Sequence, residues 1–468
     1  MTSTKKALAL GFTLALPFAA FNAEAKVDAA EAAKLGDSLT KIGAEAGANA
    51  DGSIPAFQGK SLFTDTELSY KYKDIDKMSR QEQSDTLAAY KARNGAGDVV
   101  LEITGANYKD HADKLTEGHK ALFAKFPDTY KMKVYKTMRS AFFPEAIEEA
   151  TVANATSASL EGTDSMKGAS IGFPFPIPTS GAEPIWNHKT KYRGNAVIRY
   201  NNQAIVKTDG TFKLTKVVED VLFTYANTDG GVVDGILLYY LQTDLGSSGT
   251  RTLVHETADQ SGKTNKDKRQ AWLYNKGFGR LKRAPNVGFD NPSQTSDGEQ
   301  FNDQVDMFNG ALTRYDWKLV GKKEMYMPYN SSDINDPTLK YAEILKAGHV
   351  NQDLARYELH RVWVVEATLR DGVRHKISKR TFYIDEDSWS INAVDGYDGR
   401  GELWKFQEGH MVSVPWVGTA SAVPELIYDL QSGRYFATAM VNEEKLNDTD
   451  ADFKVKYFKP ANVAKRIK

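Results

Sequence analysis

Residues 360–385 read HRVWVVEATLRDGVRHKISKRTFYID, and this stretch decides the fold class. Two runs rich in β-branched and aromatic residues flank Asp371-Gly372, which is a strong signal for a β-hairpin turn. Val362 and Val364 belong to one face of the first run. The other face carries apolar residues at every second position, namely Trp363, Val365, Ala367 and Leu369. Glu366 and Thr368 continue the face of Val362 and Val364, so only the first part of this strand is expected to be buried on both sides.

Strand-like runs of the same kind extend outward from this hairpin, beginning near Arg193 and continuing to about Met440. Turn residues such as Asp209-Gly210 separate several of them, and no alternation of strands with helices is present. The pattern predicts a mainly β fold with helices, an α+β class. The expected architecture is a large curved antiparallel sheet or an incomplete β-barrel, enclosing helices or capped by them.

The N-terminal residues indicate an exported protein. A charged start is followed by an apolar stretch of about 14 residues, which is too short for a typical membrane span. Ala23-Glu24-Ala25 fits a cleavage site, so 1–25 is predicted to be a signal peptide with cleavage near Ala25–Lys26. Residues 26–192 are expected to form a helical, loop-rich region packed on a half-barrel with inserted helices at 193–468, as one compact unit.

Composition excludes several classes of function. The chain has 60 basic and 61 acidic residues, a balance that argues against a nucleic-acid partner. With 0 Cys it has no disulfide and no thiolate metal site, and the bacterial periplasm is the expected compartment. The 8 His are scattered, which indicates no zinc site. A calcium loop at 395–402 is less favoured than a hairpin turn, and Asp385-Glu386-Asp387 is expected to be a turn. No cofactor, no membrane span and no enzyme motif are predicted.

A second stretch, GRLKRAPNVGFDNPSQTSDGEQFNDQVDMFNG at 279–310, combines a basic strand end, a loop and helix-like spacing. Ser296 and Glu299 are spaced as a capping box, and Gly310 is placed to end a helix. Phe301, Val305 and Phe308 fall at i, i+4 and i+7. These signals predict a short amphipathic helix over 297–309 whose apolar side packs on the sheet.

The segments GRLKRAP, DQVDMFNG, RYDWKLVGKKEMY, RVWVVEATLR and KRTFYIDEDSWSINAVDGYDGRGEL resemble outer-membrane lipoprotein-sorting-like proteins of the LolA/LolB-like carrier superfamily. The segments NADGSIPAF, FPIPTSGAEPIWNH and MPYN are similar to those of a longer Gram-negative branch. The resemblance implies an incomplete barrel around helices with an apolar cavity, no catalytic residues, and a plug or lid at 297–309. It also implies transport of a hydrophobic molecule across the cell envelope, with inner-membrane export pumps and outer-membrane porin-like proteins as partners.

The candidate ligand-binding residues are apolar and mostly aromatic: Trp272, Tyr274, Phe278, Phe301, Val305, Phe308, Trp363, Trp389 and Trp404. For each of them alone, core packing is the favoured alternative. Arg280 and Arg283 are candidate head-group contacts, because arginine can pair with a phosphate or carboxylate. A solvated strand end is the favoured alternative for these two.

Three functions remain open. The first is a periplasmic carrier for a hydrophobic ligand, such as a lipid, a lipidated protein or an exported apolar compound. The second is a non-enzymatic adaptor that docks an inner-membrane export pump to an outer-membrane porin-like partner. The third and least favoured is an envelope hydrolase, which needs convergent acid and base groups in a cleft.

Overall fold

The computed structural model describes residues 27–228, 235–246, 249–260, 269–275, 277, 279–284, 289–293 and 295–467. The predicted signal peptide and Phe278 lie outside these residues. The α-helices of the described residues are α1 (Ala29–Ala32), α2 (Asp65–Ser69), α3 (Tyr72–Ile75), α4 (Arg80–Arg93), α5 (Glu117–Lys125), α6 (Glu145–Ser157), α7 (Ala182–Thr190), α8 (Tyr341–Ile344) and α9 (Pro460–Ile467). None of these helices has both the length and the apolar composition needed to cross a membrane.

The described strands are β1 (Val99–Ile103), β2 (Met132–Tyr135), β3 (Ser159–Glu161), β4 (Ser165–Lys167), β5 (Ala196–Tyr200), β6 (Asn202–Val206), β7 (Phe212–Thr215), β8 (Val217–Phe223), β9 (Ile236–Asp244), β10 (Arg251–Thr257), β11 (Gln270–Tyr274), β12 (Lys282–Arg283), β13 (Tyr315–Pro328), β14 (Tyr357–Leu369), β15 (Lys379–Asp385), β16 (Ile391–Tyr397), β17 (Leu403–Val414), β18 (Thr419–Asp429) and β19 (Tyr435–Met440). Short 3-10 turns occur at Gly59–Leu62, Tyr108–Lys114, Asn302–Gln304, Leu312–Arg314 and Val455–Phe458.

The strands divide between two main sheets. The large sheet has 11 strands in the order β1-β2-β14-β15-β16-β17-β18-β19-β6-β7, with β13 paired to β14. The small sheet has 6 strands in the order β12-β11-β10-β9-β8-β5. The pairs are antiparallel apart from β2 and β14, which run parallel with Val134 opposite Tyr357. Among the described strands the large sheet is open, because β1 and β7 end its path.

The predicted hairpin at 360–385 is confirmed. β14 and β15 pair from Val362 opposite Asp385 to Thr368 opposite Lys379. Val362 and Val365, which lie on opposite faces of β14, are both fully buried. The mainly β fold with helices and an open antiparallel sheet is confirmed as well.

Residues that precede Arg193 in the chain cover one face of the large sheet. Helix α5 lies against β16 and β17, and its Leu122 and Phe123 enter the same buried cluster as Phe406. A Cβ atom on Gly118 would lie 2.0 Å from the Phe406 ring, so the helix approaches the sheet closely only because this position is glycine. Residues 99–103 and 132–135 also supply two strands to the sheet, which the sequence had indicated as helix and loop. The domain boundaries themselves stay a prediction.

The predicted amphipathic helix over 297–309 is wrong. Within that range only Asn302–Gln304 is helical, as a 3-10 turn. Asp306 and Met307 have φ angles of 54° and 62°, in the left-handed region that a right-handed helix cannot contain. Ser296 donates its hydroxyl to backbone carbonyl groups instead of accepting helical N–H groups. Tertiary ion pairs of Glu299 with Lys405 and Arg434 replace its capping role.

Candidate functional site: a cleft between the two sheets

One face of the small sheet carries a set of apolar side chains. Val197 lies opposite Val221, and Phe223 lies opposite Leu238. Tyr240 lies opposite Val221. Because side chains at directly opposite positions share a face, the five pack together as one apolar wall. We call this set the small-sheet wall.

The end of the large sheet faces this wall across a cavity. Val412 pairs with Ser421, and Val414 pairs with Thr419, so the four side chains share a face of β17 and β18. They line a cavity of about 140 Å³ together with Val197 and Phe223 of the small-sheet wall. The two sheets thus enclose a space whose lining surface is mainly apolar.

A second cavity of about 110 Å³ adjoins the first. Arg193, Arg199, Phe223 and Asp306 line both cavities. The segment 302–309 covers the second cavity opposite the small-sheet wall. We call the two cavities together the cleft.

An ionic cluster lies where the two cavities meet. The carboxylate of Asp306 accepts hydrogen bonds from the ammonium of Lys191 at 2.9 Å and from the guanidinium of Arg193 at 2.7 Å. Burial opposes ionisation of Asp306, but the charges of Arg193 and Lys191 outweigh it and hold its pKa well below the usual range. Burial lowers the pKa of Lys191 to about 8. The cluster therefore fixes the covering segment through a strongly acidic carboxyl group.

His188 supports this cluster from helix α7. Its Nε2–H donates to the carbonyl oxygen of Asp306 at 2.7 Å, and its Nδ1 accepts from the N–H of Ile391 at 3.1 Å. Burial and the charge of Lys191 lower the pKa of His188 to about 3. The imidazole is thus neutral near pH 7 and acts as a connector between the segment and β16.

This neutral histidine makes stability depend on pH. The folded pKa of His188 is depressed below the unfolded value, so its stabilisation is present above pH 6.5 and is lost as pH falls. Between pH 7 and pH 5 this one group is expected to remove about 2 kcal/mol from the free energy of unfolding. His188→Gln retains a donor and an acceptor but does not titrate. Urea unfolding at both pH values should show a smaller loss for the variant. An equal loss in both proteins contradicts this role for His188.

Further charged side chains line the cleft in pairs. Arg199 pairs with Glu219 at 2.7 Å, and Arg269 pairs with Glu256 at 2.6 Å. Glu425 accepts a hydrogen bond from the N–H of Met307 at 3.2 Å. Burial and the negative charge of Asp306 raise the pKa of Glu425, which favours its neutral form. The cleft therefore combines apolar walls with a buried polar line along one side.

Two of the predicted ligand-binding residues lie at this cleft. Val305 and Phe308 line the second cavity, although they come from an irregular segment and not from a helix. Trp272 and Tyr274 lie on the other face of the small sheet, since Trp272 is opposite Leu253 and Tyr274 shares its face. On that face Trp272 packs against a cluster that includes Phe458 from the C-terminal segment.

The remaining predicted residues lie elsewhere. Trp363 stacks on Trp389 with ring centroids 6.2 Å apart, and Trp389 is fully buried in the core beneath the large sheet. Phe301 packs against Trp404 at 5.9 Å in a separate aromatic contact. Arg280 and Arg283 are exposed at the edge of the small sheet. The structure thus distributes the described members of the predicted set over several places, and ligand binding by them stays a prediction.

Sequence reasoning missed the small-sheet wall and the buried cations of the cleft. A signal was present, because Glu219, Val221 and Phe223 alternate at period two, as do Val197 and Arg199. The predicted ligand-binding set was mostly aromatic, whereas this alternating pattern consists mainly of valine and charged residues. The pairing of Asp306 with Lys191 has no local signal, since the two positions lie far apart in sequence.

A buried cluster outside the cleft offers potential metal ligands. His360, Asp385 and Asp387 each present one ligand atom within 4.8 Å of the others. Both oxygens of Asp387 already accept from the Arg139 guanidinium, at 2.9 and 2.7 Å. One oxygen of Asp385 accepts from the hydroxyls of Tyr329 and Ser388. A guanidinium bound to one carboxylate fits a metal ion poorly, so these residues fit an ion-pair network better than a cation site.

These features define a class: a mainly β protein in which two sheets enclose a narrow, apolar cleft with a buried ionic line. The chain belongs to the family described as "Protein of unknown function (DUF1329)", whose model matches residues 102–464. It is 45% identical over 456 residues to an uncharacterised protein of Pseudomonas aeruginosa, covering 95% of this chain and 94% of that protein.

Two solved structures give the following similarities. A DUF1329 family protein from Desulfovibrio piger is 14% identical with a TM-score of 0.38, covering 57% of this chain and 90% of that one. A LolA superfamily protein from Nitrosomonas europaea is 12% identical with a TM-score of 0.36, covering 60% of this chain and 98% of that one.

Proposed function

We propose that this chain is a periplasmic carrier that binds the apolar part of a hydrophobic ligand in the cleft between its two sheets. The observation that carries the proposal is the pair of facing, mainly apolar walls around about 140 Å³ of space. Apolar walls bind apolar chains because burial removes their surface from water, at about 25 cal/mol per Å². Lipids, lipidated proteins and exported apolar compounds all offer such a chain.

The size of the cleft sets the kind of ligand. Ligand pockets for small molecules usually have volumes of about 300–1,000 Å³. Each of the two cavities that form the cleft is smaller than this. In the proposed carrier, one extended chain occupies both cavities and passes the side chains of Phe223 and Asp306, which line both. A single alkyl chain or a small flat aromatic molecule therefore fits the cleft better than a bulky fused-ring molecule of sterol size.

The covering segment gives a route for loading. Val305 and Phe308 close the second cavity, and Asp306 ties the segment to Lys191 and Arg193. The segment belongs to no strand, so it can move without breaking a sheet, and the burial of Phe308 sets the cost of opening. In the proposed carrier, opening of this segment admits and releases the ligand.

The adaptor function is favoured by one observation. Strand β1 forms an edge of the large sheet and exposes Val99 and Val100, the latter by 63%. An exposed apolar edge can pair with a strand from a partner, such as an export pump or a porin-like protein. This function predicts that partner capture survives changes in the cleft and is lost when Val99 and Val100 become lysine.

The experiment for the carrier is titration of the full chain with N-phenyl-1-naphthylamine, a neutral apolar fluorophore that brightens on leaving water. The wild type is expected to bind it saturably. Ser421→Phe places a ring in the first cavity and should weaken binding about tenfold or more.

Ser432→Phe is the matched control, because Ser432 is exposed in a turn outside the cleft. It should bind the fluorophore as the wild type does. Equal affinity of all three proteins, or no binding by the wild type, contradicts the carrier.

A further inference from the structure

Cationic side chains outnumber carboxyl groups along the cleft. Of the described residues that line its two cavities, four are cationic, namely Lys189, Arg193, Arg199 and Arg269. Three carry carboxyl groups, namely Glu256, Asp306 and Glu425. Lys191 adds another cation behind Asp306, and Glu219 adds another carboxylate behind Arg199. Buried charges of one sign are costly unless a partner of opposite sign is present.

Two of these arginines have unused donors. The Nε atoms of Arg193 and Arg199 are buried and have no hydrogen-bond partner among the described residues. Both side chains line both cavities, so both stand where the two spaces meet. Buried donors are normally satisfied, and an unsatisfied one at a cavity wall points to a ligand acceptor.

The state of Glu425 increases the imbalance. Burial raises the pKa of its carboxyl group, as does the neighbouring negative charge of Asp306. When Glu425 is neutral, Asp306 is the ionised carboxylate that lines the first cavity. The cations that line the same cavity are Arg193 and Arg199. The cleft therefore has an electrostatic preference as well as an apolar one.

We infer that the ligand is an amphiphile with an anionic head group, a carboxylate or a phosphate ester, held at the junction of the two cavities by Arg193 and Arg199. This inference rests on the proposed carrier function and adds the ligand's chemical class. The alkyl chain lies between the facing walls. Arginine suits this role because its donors match the geometry of carboxylate and phosphate oxygens.

The test is displacement of N-phenyl-1-naphthylamine from the full chain by dodecyl compounds, each kept below its micelle concentration. Dodecanoate and dodecyl phosphate are the anionic probes. Dodecanol is neutral, and dodecyltrimethylammonium is cationic. One or both anions should bind at least about tenfold more tightly than the cation, with dodecanol between them. The better anion identifies the head group.

Variants locate the head group. Arg193→Gln leaves Asp306 paired with Lys191 and should weaken binding of the better anion about tenfold more than it weakens binding of the fluorophore. Arg193→Lys keeps the charge and should retain the preference for anions. Arg283→Gln removes an exposed arginine of the small-sheet edge and should change nothing.

The outcomes separate the two proposals. A fluorophore that fails to bind the wild type overturns the carrier and, with it, this inference. Fluorophore binding without a preference for anions overturns the inference alone. Loss of anion affinity in Arg283→Gln, with none in Arg193→Gln, moves the head group to the strand edge and also overturns it. If circular dichroism shows that Arg193→Gln is unfolded, the inference is tested by the affinities of the four dodecyl compounds for the wild type and for Arg193→Lys.

Discussion

Replacing Arg139 with methionine is expected to lower the free energy of unfolding by about 3–5 kcal/mol. Arg139 is 1% exposed and donates to both oxygens of Asp387, and to Glu386 at 3.2 Å. Methionine fills much of the space but leaves the Asp387 carboxylate buried without its cation. Removing one partner of a buried ion pair is costly because the other remains desolvated and uncompensated. Urea denaturation followed by circular dichroism measures the difference.

Arg400→Met is the matched control for this experiment. Arg400 also lies between two carboxylates, at 3.0 Å from Asp398 and 2.7 Å from Glu402, but its side chain is 69% exposed. Its loss should cost much less than the loss of Arg139, because water screens exposed pairs. Equal effects of Arg139→Met and Arg400→Met contradict a structural role for the buried network.

Replacing Phe308 with alanine is expected to lower the free energy of unfolding by about 3–5 kcal/mol. Phe308 is 1% exposed, and its ring centroid lies 5.2 Å from that of Phe382 and 5.7 Å from that of Trp317. The Arg380 guanidinium lies 5.3 Å from the same ring. Truncation removes the apolar contacts and leaves a cavity that these rigid neighbours cannot fill. The measurement is again the urea midpoint.

Leu245→Ala serves as the control for Phe308→Ala. Leu245 is an apolar side chain with 58% exposure, so its truncation should change stability by less than about 0.5 kcal/mol. A loss below about 1 kcal/mol for Phe308→Ala contradicts its assignment to the core. In that case the segment 302–309 is a loosely packed cover and not an anchored one.

The fold class could be predicted because its signals are local. The alternation of residues 360–369 and the Asp371-Gly372 turn specify a hairpin by themselves, and β14 and β15 form it. The two strands at 99–103 and 132–135 could not be found in this way. Their place in the large sheet depends on pairing between β2 and β14, positions more than two hundred residues apart.

The segment 297–309 shows why local signals fail. Its spacing matches a helix, but tertiary contacts outweigh helix propensity. Glu299 is drawn to Lys405, and Asp306 is drawn to Lys191 and Arg193. Each contact fixes the backbone in a conformation that a continuous helix excludes. The turn predicted at Asp385-Glu386-Asp387 lies at residues 386–388, because Asp385 still belongs to β15. Its burial depends on Arg139 and so was hidden from sequence reasoning.

The candidate site was predictable only in part. Val305 and Phe308 were singled out for their apolar character, and both lie at the cleft. Trp272 was singled out for the same reason and lies on the other face of the small sheet. Which face of a sheet encloses space and which meets the C-terminal segment depends on packing between distant elements, and periodicity alone does not specify it.

The most direct test of the proposed cleft is photolabelling of the full chain with a diazirine analogue of dodecanol, followed by peptide mass spectrometry. We expect saturable labelling within residues 196–200, 217–223 and 412–425, which carry the facing walls. Competition by unlabelled dodecanol should remove it. Labelling confined to the surroundings of Trp363, Trp389 or Trp404, or spread over the surface without competition, would contradict a ligand site between the two sheets.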